Sequence, residues 1–519
     1  AQIGDNINGE AADDFSGSSV SLSADGSVVA IGAFENDGNG QSSGHVRIFF
    51  NDNGSWAQIG EDIDGEASGD RSGEGESVRL SADGSVVAIG ASSNGYELNT
   101  GHVRIYKNDN VNNTWTQIGE DINGEATHNY SGRYISLSAD GSVVAIGAFG
   151  NDGNGERSGH VRIYKNIDNA WTQVGTDIDG EAAFDLSGSS VSLSADGSIV
   201  AIGAPGNDVN GDRSGHVRIY KNINNTWTQV GTDIDGEGFD DRSGSSVSLS
   251  ADGSVVAISA LGRDTRGYLR IYKNINNTWT QIGEDIDGEA DNDRSGNSIS
   301  LSADGSIIAI GAYSNDDNGN DSGHVRLYKN VNNTWIKIGS DIDGEGIGDK
   351  SGESVSLSAD GSVVAIGATG NDDNGNDSGH VRVFQTGIST ESLINDLNND
   401  GFRGVPPFVS KEIESISNSI YSSEWLNNIN PIYKDYLGDK KVPYYIHSGG
   451  DTAYVGWEGD YQNGNSVDRN VQTVDSKDYK SFIVDSFKQI DSLIDLDFEL
   501  LDNNNDSLIN IYATNYDLN

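Results

Sequence analysis

Ser187-Gly-Ser-Ser-Val-Ser-Leu-Ser-Ala-Asp-Gly-Ser-Ile-Val-Ala-Ile-Gly-Ala-Pro205, continued by Ser214-Gly-His-Val-Arg-Ile-Tyr220 and Trp227-Thr-Gln-Val-Gly231, recurs in near-copies along three quarters of the chain. Aligned on the Ile/Val-Gly pair, the copies begin at Ile3, Ile59, Ile118, Val174, Val230, Ile282 and Ile338, with spacings of 56, 59, 56, 56, 52 and 56 residues. The length differences fall in loops, around Asp109-Asn-Val-Asn-Asn113 and before Gly267-Tyr-Leu-Arg270, as expected of a structural repeat.

Each copy reads as four strands. Ser-Val-Ser-Leu-Ser (Ser246 to Ser250 in one copy) alternates polar and apolar residues with period two. Ala-Asp-Gly-Ser follows, a hairpin turn in which Asp and Gly tolerate positive φ. Val-Val-Ala-Ile-Gly-Ala is nearly all apolar, which predicts a strand buried on both faces. A polar loop leads to His-Val-Arg-Ile-Tyr, and an Asn-rich turn leads to Trp-Thr-Gln-Ile-Gly. Four short antiparallel strands repeated seven times predict a β-propeller. The seventh copy stops at His380-Val-Arg-Val-Phe-Gln385, and its missing fourth strand is present at Gln2-Ile-Gly-Asp-Asn-Ile-Asn8. That segment can close the ring and remove two open sheet edges. The expected fold is therefore mainly β: a seven-bladed propeller over residues 1–386, closed by the N-terminal strand. A linker with a helical segment (387–440) and a small α/β region (441–519) follow.

The composition agrees. The 519 residues are 34% hydrophobic and include 68 Gly, which suits short strands and tight turns. Acidic residues outnumber basic ones by 80 to 32, for a formal charge of −48. Such a surface repels nucleic acid and anionic membranes and attracts divalent cations or basic partners. Cys is absent, which excludes disulfides and thiolate chemistry. No apolar run is long enough for a spanning helix. Ala1-Gln-Ile-Gly4 reads as the interior of a repeat and implies a processed or trimmed N-terminus.

Several repeated residues carry functional alternatives. Trp56, Trp115, Trp171, Trp227, Trp279 and Trp335 open the fourth strand, either as packing rings between blades or as a ring of sugar-stacking platforms. His45, His102, His160, His216, His324 and His380 start the third strand on different blades; they are expected to make structural hydrogen bonds. Loops after strands two and four should emerge on one face. They hold Asn-Asp-x-Asn-Gly (Asn36 to Gly40 and its equivalents) and Asp-Gly-Glu followed by Asp (Asp64 to Glu66 with Asp70; Asp343 to Glu345 with Asp349). Two such loops could supply the six to eight oxygens of a calcium site, against ordinary Asx-turn chemistry. The candidate calcium loops are Asn315, Asp316, Asp317, Asn318 and Asp321, and Asn371, Asp372, Asp373, Asn374 and Asp377. Sequons at Asn112, Asn224, Asn276 and Asn332 lie where a hairpin turn also needs Asn.

Ser-Gly-x-Ser-Val, Ala-Ile-Gly-Ala-Pro and Ser-Gly-x-Val-Arg-Ile-Tyr resemble the FG-GAP repeat of integrin α-subunit propellers and their bacterial relatives. The resemblance covers all seven copies and implies the propeller fold. Two features depart from it. Ser replaces the Phe of Phe-Gly, as in Ser187-Gly188, and the calcium loop between the first two strands is reduced to the bare Ala-Asp-Gly turn. The family's calcium therefore does not carry over to that turn.

Beyond Phe384 the period stops. Lys411 to Trp425 reads as helical; Asp396 to Gly401 resembles half an EF-hand, but Pro407 stands where Glu is needed, so it reads as a turn. Val442 to Ile446, Asp497 to Leu501 and Leu508 to Tyr512 read as strands, and Ser476 to Ile494 as an amphipathic helix. This order resembles the opening of a serralysin-like zinc metallopeptidase domain. The implied zinc motif, His-Glu-x-x-His, would lie beyond residue 519; His447 alone makes no zinc site.

Two functions follow as expectations. The first is a secreted or cell-surface binding, adhesion or assembly module, stabilised by calcium, whose partner is a protein or glycan ligand or another copy of the chain. The alternative is the targeting part of a secreted zinc metallopeptidase, with zinc only if a downstream peptidase domain exists. No catalytic cluster stands apart from the repeat.

Overall fold

The structure is a computed structural model. It describes residues 1–94, 98–109, 112–262 and 266–387, together with the strand backbones Tyr445–Gly449, Thr452–Gly456, Leu496–Asn503 and Asp506–Ala513. The chain divides into two units, Ala1–Ser389 and Thr390–Asn519. The expected helices at 411–425 and 476–494 and the turn at 396–401 lie outside the described residues. In the second unit, Tyr445–Gly449 pairs with Thr452–Gly456 and Leu496–Asn503 with Asp506–Ala513, both antiparallel.

The first unit is a seven-bladed β-propeller. The first blade shows the plan: β2 (Ser16–Leu22), β3 (Val28–Ala33), β4 (His45–Asp52), β5 (Ser55–Gln58) and β6 (Ile63–Asp64). The expected fourth strand is split into β5 and β6, which pair with opposite ends of β4. The seventh blade is completed by β1 (Ile7–Asn8), where Ile7 pairs with Val381 and Asn8 with His380, and Gln2 bridges to Phe384. The N-terminal strand therefore closes the ring.

Every residue of β3 is buried, because the sheet is sandwiched between neighbours. Val29 and Ile31 pack with Val363, Ala365 and Val381 of the seventh blade. Val28 and Ala30 turn the other way, against Val78, Leu80, Val87 and Ile89 of the second. Period-two alternation thus serves two apolar interfaces, and each fully buried Val or Ile contributes about 1.5–3 kcal/mol.

The innermost strand of each blade and the hairpin turn that follows it are tied to the neighbouring blades. On the innermost strand, the Ser hydroxyls of Ser-Val-Ser-Leu cross to the next blade. Ser21 accepts from the Leu80 amide, Ser136 from Leu193, Ser192 from Leu249, Ser248 from Leu301, Ser300 from Leu357 and Ser356 from Leu22. At the hairpin turns, the Ala24 amide donates to the Ala82 carbonyl, Ala82 to Ala139, Ala139 to Ala195, Ala195 to Ala251, Ala251 to Ala303, Ala303 to Ala359 and Ala359 back to Ala24, each at 2.8 Å. The circle is complete.

In each turn the Asp carboxylate holds its own loop. Burial pushes Asp25 up, but the Ser23 hydroxyl and the Ser27 amide and hydroxyl donate to it and hold it below the ordinary 3.8. Asp83, Asp140, Asp196 and Asp252 are likewise raised by burial and brought lower overall by the flanking serines. With its one carboxylate engaged this way, the turn does not fit a calcium ion, which takes six to eight oxygens.

Two outcomes follow. Ile31→Ala should lower stability by about 2–5 kcal/mol, read as a shift of the urea midpoint at constant slope; a smaller loss would mean the blade interface repacks. A carboxylate depressed in the folded state adds stability above its unfolded pKa that disappears as pH falls through the folded value. The melting temperature should therefore drop as pH is lowered below about 4, and Asp196→Asn should flatten that fall.

Candidate functional site

The two loop families do meet on one face. The Asn39 side chain, after strand two, donates to the Gly65 and Glu66 carbonyls of the loop after strand four. Asn154 bonds Gly180 and Glu181 in the same way, Asn318 bonds Gly344 and Glu345, and Asn374 bonds Gly9 and Glu10. Most candidate calcium-loop residues are engaged in their own backbone. Asn315 accepts from the Asp317 amide and Asp316 from the Asp321 amide, while Asn371 accepts from Asp373 and Asp372 from Asp377. Asp321 and Asp377 accept from the neighbouring Asn320 and Asn376 side chains. Asp317 and Asp373 differ, because their carboxylates face His324 and His380 at 3.9 and 3.7 Å. Asp70 and Asp349, which follow the Asp-Gly-Glu runs, cap the turns there.

The six Trp residues lace the blades together. Trp56 donates its indole N–H to the Ile3 carbonyl, Trp115 to Ile59, Trp171 to Ile118, Trp227 to Val174, Trp279 to Val230 and Trp335 to Ile282. Each crosses from one blade to the preceding one, so the ring is half-buried in a seam. The sequon residues Asn224, Asn276 and Asn332 stand at positive φ in hairpin turns, a conformation Asn accepts readily.

The histidines depart from expectation. His102, His216 and His324 are buried with neither ring nitrogen hydrogen-bonded, and Nε2 of His160 and His380 is also without a partner. His380 keeps a hydrogen bond, with Asn6 Nδ2 3.4 Å from its Nδ1, and at the other complete seams a cluster between blades stands in its place. Strand three puts His at its first residue, the preceding blade's Asn/Asp-Gly-Glu loop brings a Glu over it, and the residue before the outer strand of the His residue's own blade brings an Asp beside it. His45 Nδ1 lies 3.9 Å from Glu10 and 3.7 Å from Asp62. His160 lies 3.9 Å from Glu125 and 3.7 Å from Asp177, and His216 lies 3.9 Å from both Glu181 and Asp233. These separations are too long for hydrogen bonds.

The far oxygens are held from behind. Gln58, Gln173 and Gln229 donate to Asp62, Asp177 and Asp233. Arg47, Arg162 and Arg218 face the second oxygens of Glu10, Glu125 and Glu181 at 3.5–3.7 Å, and each anchors on a main-chain carbonyl of the preceding blade. Burial first, then the adjacent Arg, pull His45 and His160 down to about 4, which leaves the imidazoles neutral at pH 7. Burial, and to a lesser degree the Asp62 and Asp14 carboxylates, raises Glu10 in spite of Arg47.

The other seams vary. In blade two Glu66 lies 4.0 Å from His102, and among the described residues no Asp oxygen comes as near. In blade five Tyr268 replaces His and donates to Asp241, while Arg270 swings onto Asp285 and Glu237 at 2.8 and 2.6 Å. In blade six the Lys337 ammonium pairs with Asp341 and Glu289. In blade seven Asn6 stands in place of the Asp and its amide donates to Glu345 and Asp373. A second departure from the repeat lies on the inner strands of blades two and three, where Glu74 pairs with Arg71 and Arg133, and Glu76 with Arg79.

The FG-GAP repeat family model matches residues 286–328, which run from the outer strand of blade five to the third strand of blade six. The match thus falls on one stretch of a propeller whose seven copies are near-repeats of one another. No curated protein sequence matches the chain. Among solved structures, the periplasmic gluconolactonase PpgL of Pseudomonas aeruginosa is 15% identical, with 63% of this chain and 85% of that one covered at a TM-score of 0.43. Sqt1 of Saccharomyces cerevisiae is 13% identical, with 75% and 86% covered at 0.42. The comparisons give the serralysin-like resemblance of residues 441–519 no support.

Trp227→Phe should cost about 0.5–1.5 kcal/mol through loss of its interblade hydrogen bond, measured by urea unfolding. An unchanged midpoint would mean that the indole N–H finds water instead.

Proposed function

We propose that the protein is a secreted or cell-surface binding, adhesion or assembly module whose loop face docks a protein or glycan ligand or another copy of the chain. One observation carries this reading. Leu98, Phe184, Val209, Phe239 and Ile347, from 51% to 76% exposed, all lie on loops after strands two and four, and so on one face. Most of their equivalents in other copies are small or polar, as Asp13 is for Phe184 and Ala183 for Phe239. Exposed apolar side chains gathered on loops above a regular framework are a familiar form of recognition surface. The acidic residues around them favour a basic or cation-bridged partner.

Calcium enters this reading through the oxygen-rich loops Asn315–Asp321 and Asn371–Asp377. Millimolar Ca²⁺ should raise the melting temperature by ligand linkage; an unchanged melting temperature after chelation would remove calcium from the proposal. For docking, labelled protein is applied to intact cells of its source. The double variant Phe184→Ser, Phe239→Ser should keep its melting temperature within about 2 °C and bind about tenfold more weakly. Undiminished binding would move the docking surface elsewhere.

A further inference from the structure

We propose that the seams entering blades one, three and four each bind a first-row divalent transition cation, through the Nδ1 of His45, His160 or His216 and the facing carboxylate oxygens of the paired Glu and Asp. The three ligand atoms of each seam lie within 4.8 Å of one another. A cation at the usual 2.0–2.2 Å from a His nitrogen and carboxylate oxygens separates its ligands by about 3.0–3.5 Å. The His-to-carboxylate separations of 3.7–3.9 Å have to close by a few tenths of an ångström for a cation to bridge them.

Two independent observations point to a cation. First, His216 is 0% exposed and aims an unpartnered Nδ1 at Glu181 and Asp233. A buried polar atom without a partner is costly. Second, the chain supplies its own donor at the same position where the set of residues changes. Arg270 bridges the two carboxylates in blade five; Lys337, in the place of the Gln, sets its charge on the outer oxygens of Asp341 and Glu289 in blade six; and the Asn6 amide reaches Glu345, Asp373 and His380 in blade seven. Each of these three altered seams holds a positive charge or a donor against its carboxylates, which repels a further cation or takes its place. Blades one, three and four keep Gln behind the Asp and Arg behind the Glu, which orients the two remaining oxygens toward the imidazole. That is the usual arrangement behind metal ligands.

An imidazole nitrogen with two carboxylates favours zinc-like ions over calcium, which prefers oxygen alone. Glu10 and Asp62 are partly exposed above the buried His45, so the ion enters from the loop face. This inference stands apart from the docking reading, since metal content is measured without any ligand.

The test uses the full chain, stripped with chelator, reloaded with ZnCl₂, dialysed and analysed for metal. About three zinc ions per chain are expected, one per complete seam. His216→Asn should lose about one of them, and a tenfold excess of Ca²⁺ should displace none. Substituted Co²⁺ should give visible d–d absorption, reduced by about a third in the variant. If His216→Asn does not fold, the partly exposed Asp233→Asn takes its place with the same expectation. Zinc content unaltered by either variant, displacement by calcium, or no retained zinc would overturn the proposal. Glu345→Gln, in the blade closed by Asn6, should leave the content unchanged; a loss there would also overturn it.

Discussion

The circle of Ala-to-Ala hydrogen bonds at the hairpin turns is the constraint on which the rest of the propeller depends. Each blade has an inner strand whose outer edge would otherwise carry unpaired backbone groups. The turns tie neighbouring blades at one face, and the Ser hydroxyls of Ser-Val-Ser-Leu tie them along the inner strands. Because the bonds run in one direction around the axis, the circle closes only if every blade presents the same turn at the same height. That accounts for the near-invariance of Ala-Asp-Gly-Ser, and for insertions being confined to the other loops. β1 completes the seventh sheet as its outer strand, with the Gln2–Phe384 bridge where the other blades have a further short strand.

Much of this was legible in the sequence. Period-two alternation located the strands, Asp-Gly the hairpins, and the misplaced copy of Gln-Ile-Gly-Asp-Asn-Ile-Asn the closure. The roles of single side chains were less accessible. The Ser residues of the inner strand read only as the polar half of a period-two alternation, and the structure shows them bonding across to the next blade. The Trp residues read as rings packing between neighbouring blades, with sugar stacking as the alternative, and the preceding Ile/Val carbonyl that each indole meets sets them in the seam. The His residues read as partners in hydrogen bonds. Glu10, His45 and Asp62 lie in three separate segments from two blades, so no local spacing announces their meeting. A signal was present all the same: the single copy with Tyr268 for His, the copy with Lys337 for Gln, and Asn6 for Asp each alter the same cluster.

The repeat therefore separates framework from variation. Turns, buried strands and Trp tethers are held constant by closure. The loop face, where Phe184, Phe239 and Ile347 stand exposed, is free to change without disturbing the ring. The seams lie between these two regimes: their His, Glu and Asp sit at the rim of the core, close enough to the loops that a bound ion would stiffen the docking face and counter part of the −48 charge.

The most direct measurement is an anomalous difference map, collected at the zinc edge from crystals of the full chain soaked in ZnCl₂. The account predicts peaks beside His45, His160 and His216 and none beside Tyr268, Lys337 or Asn6. Peaks absent from the first three positions, or equal at all seven seams, would contradict it.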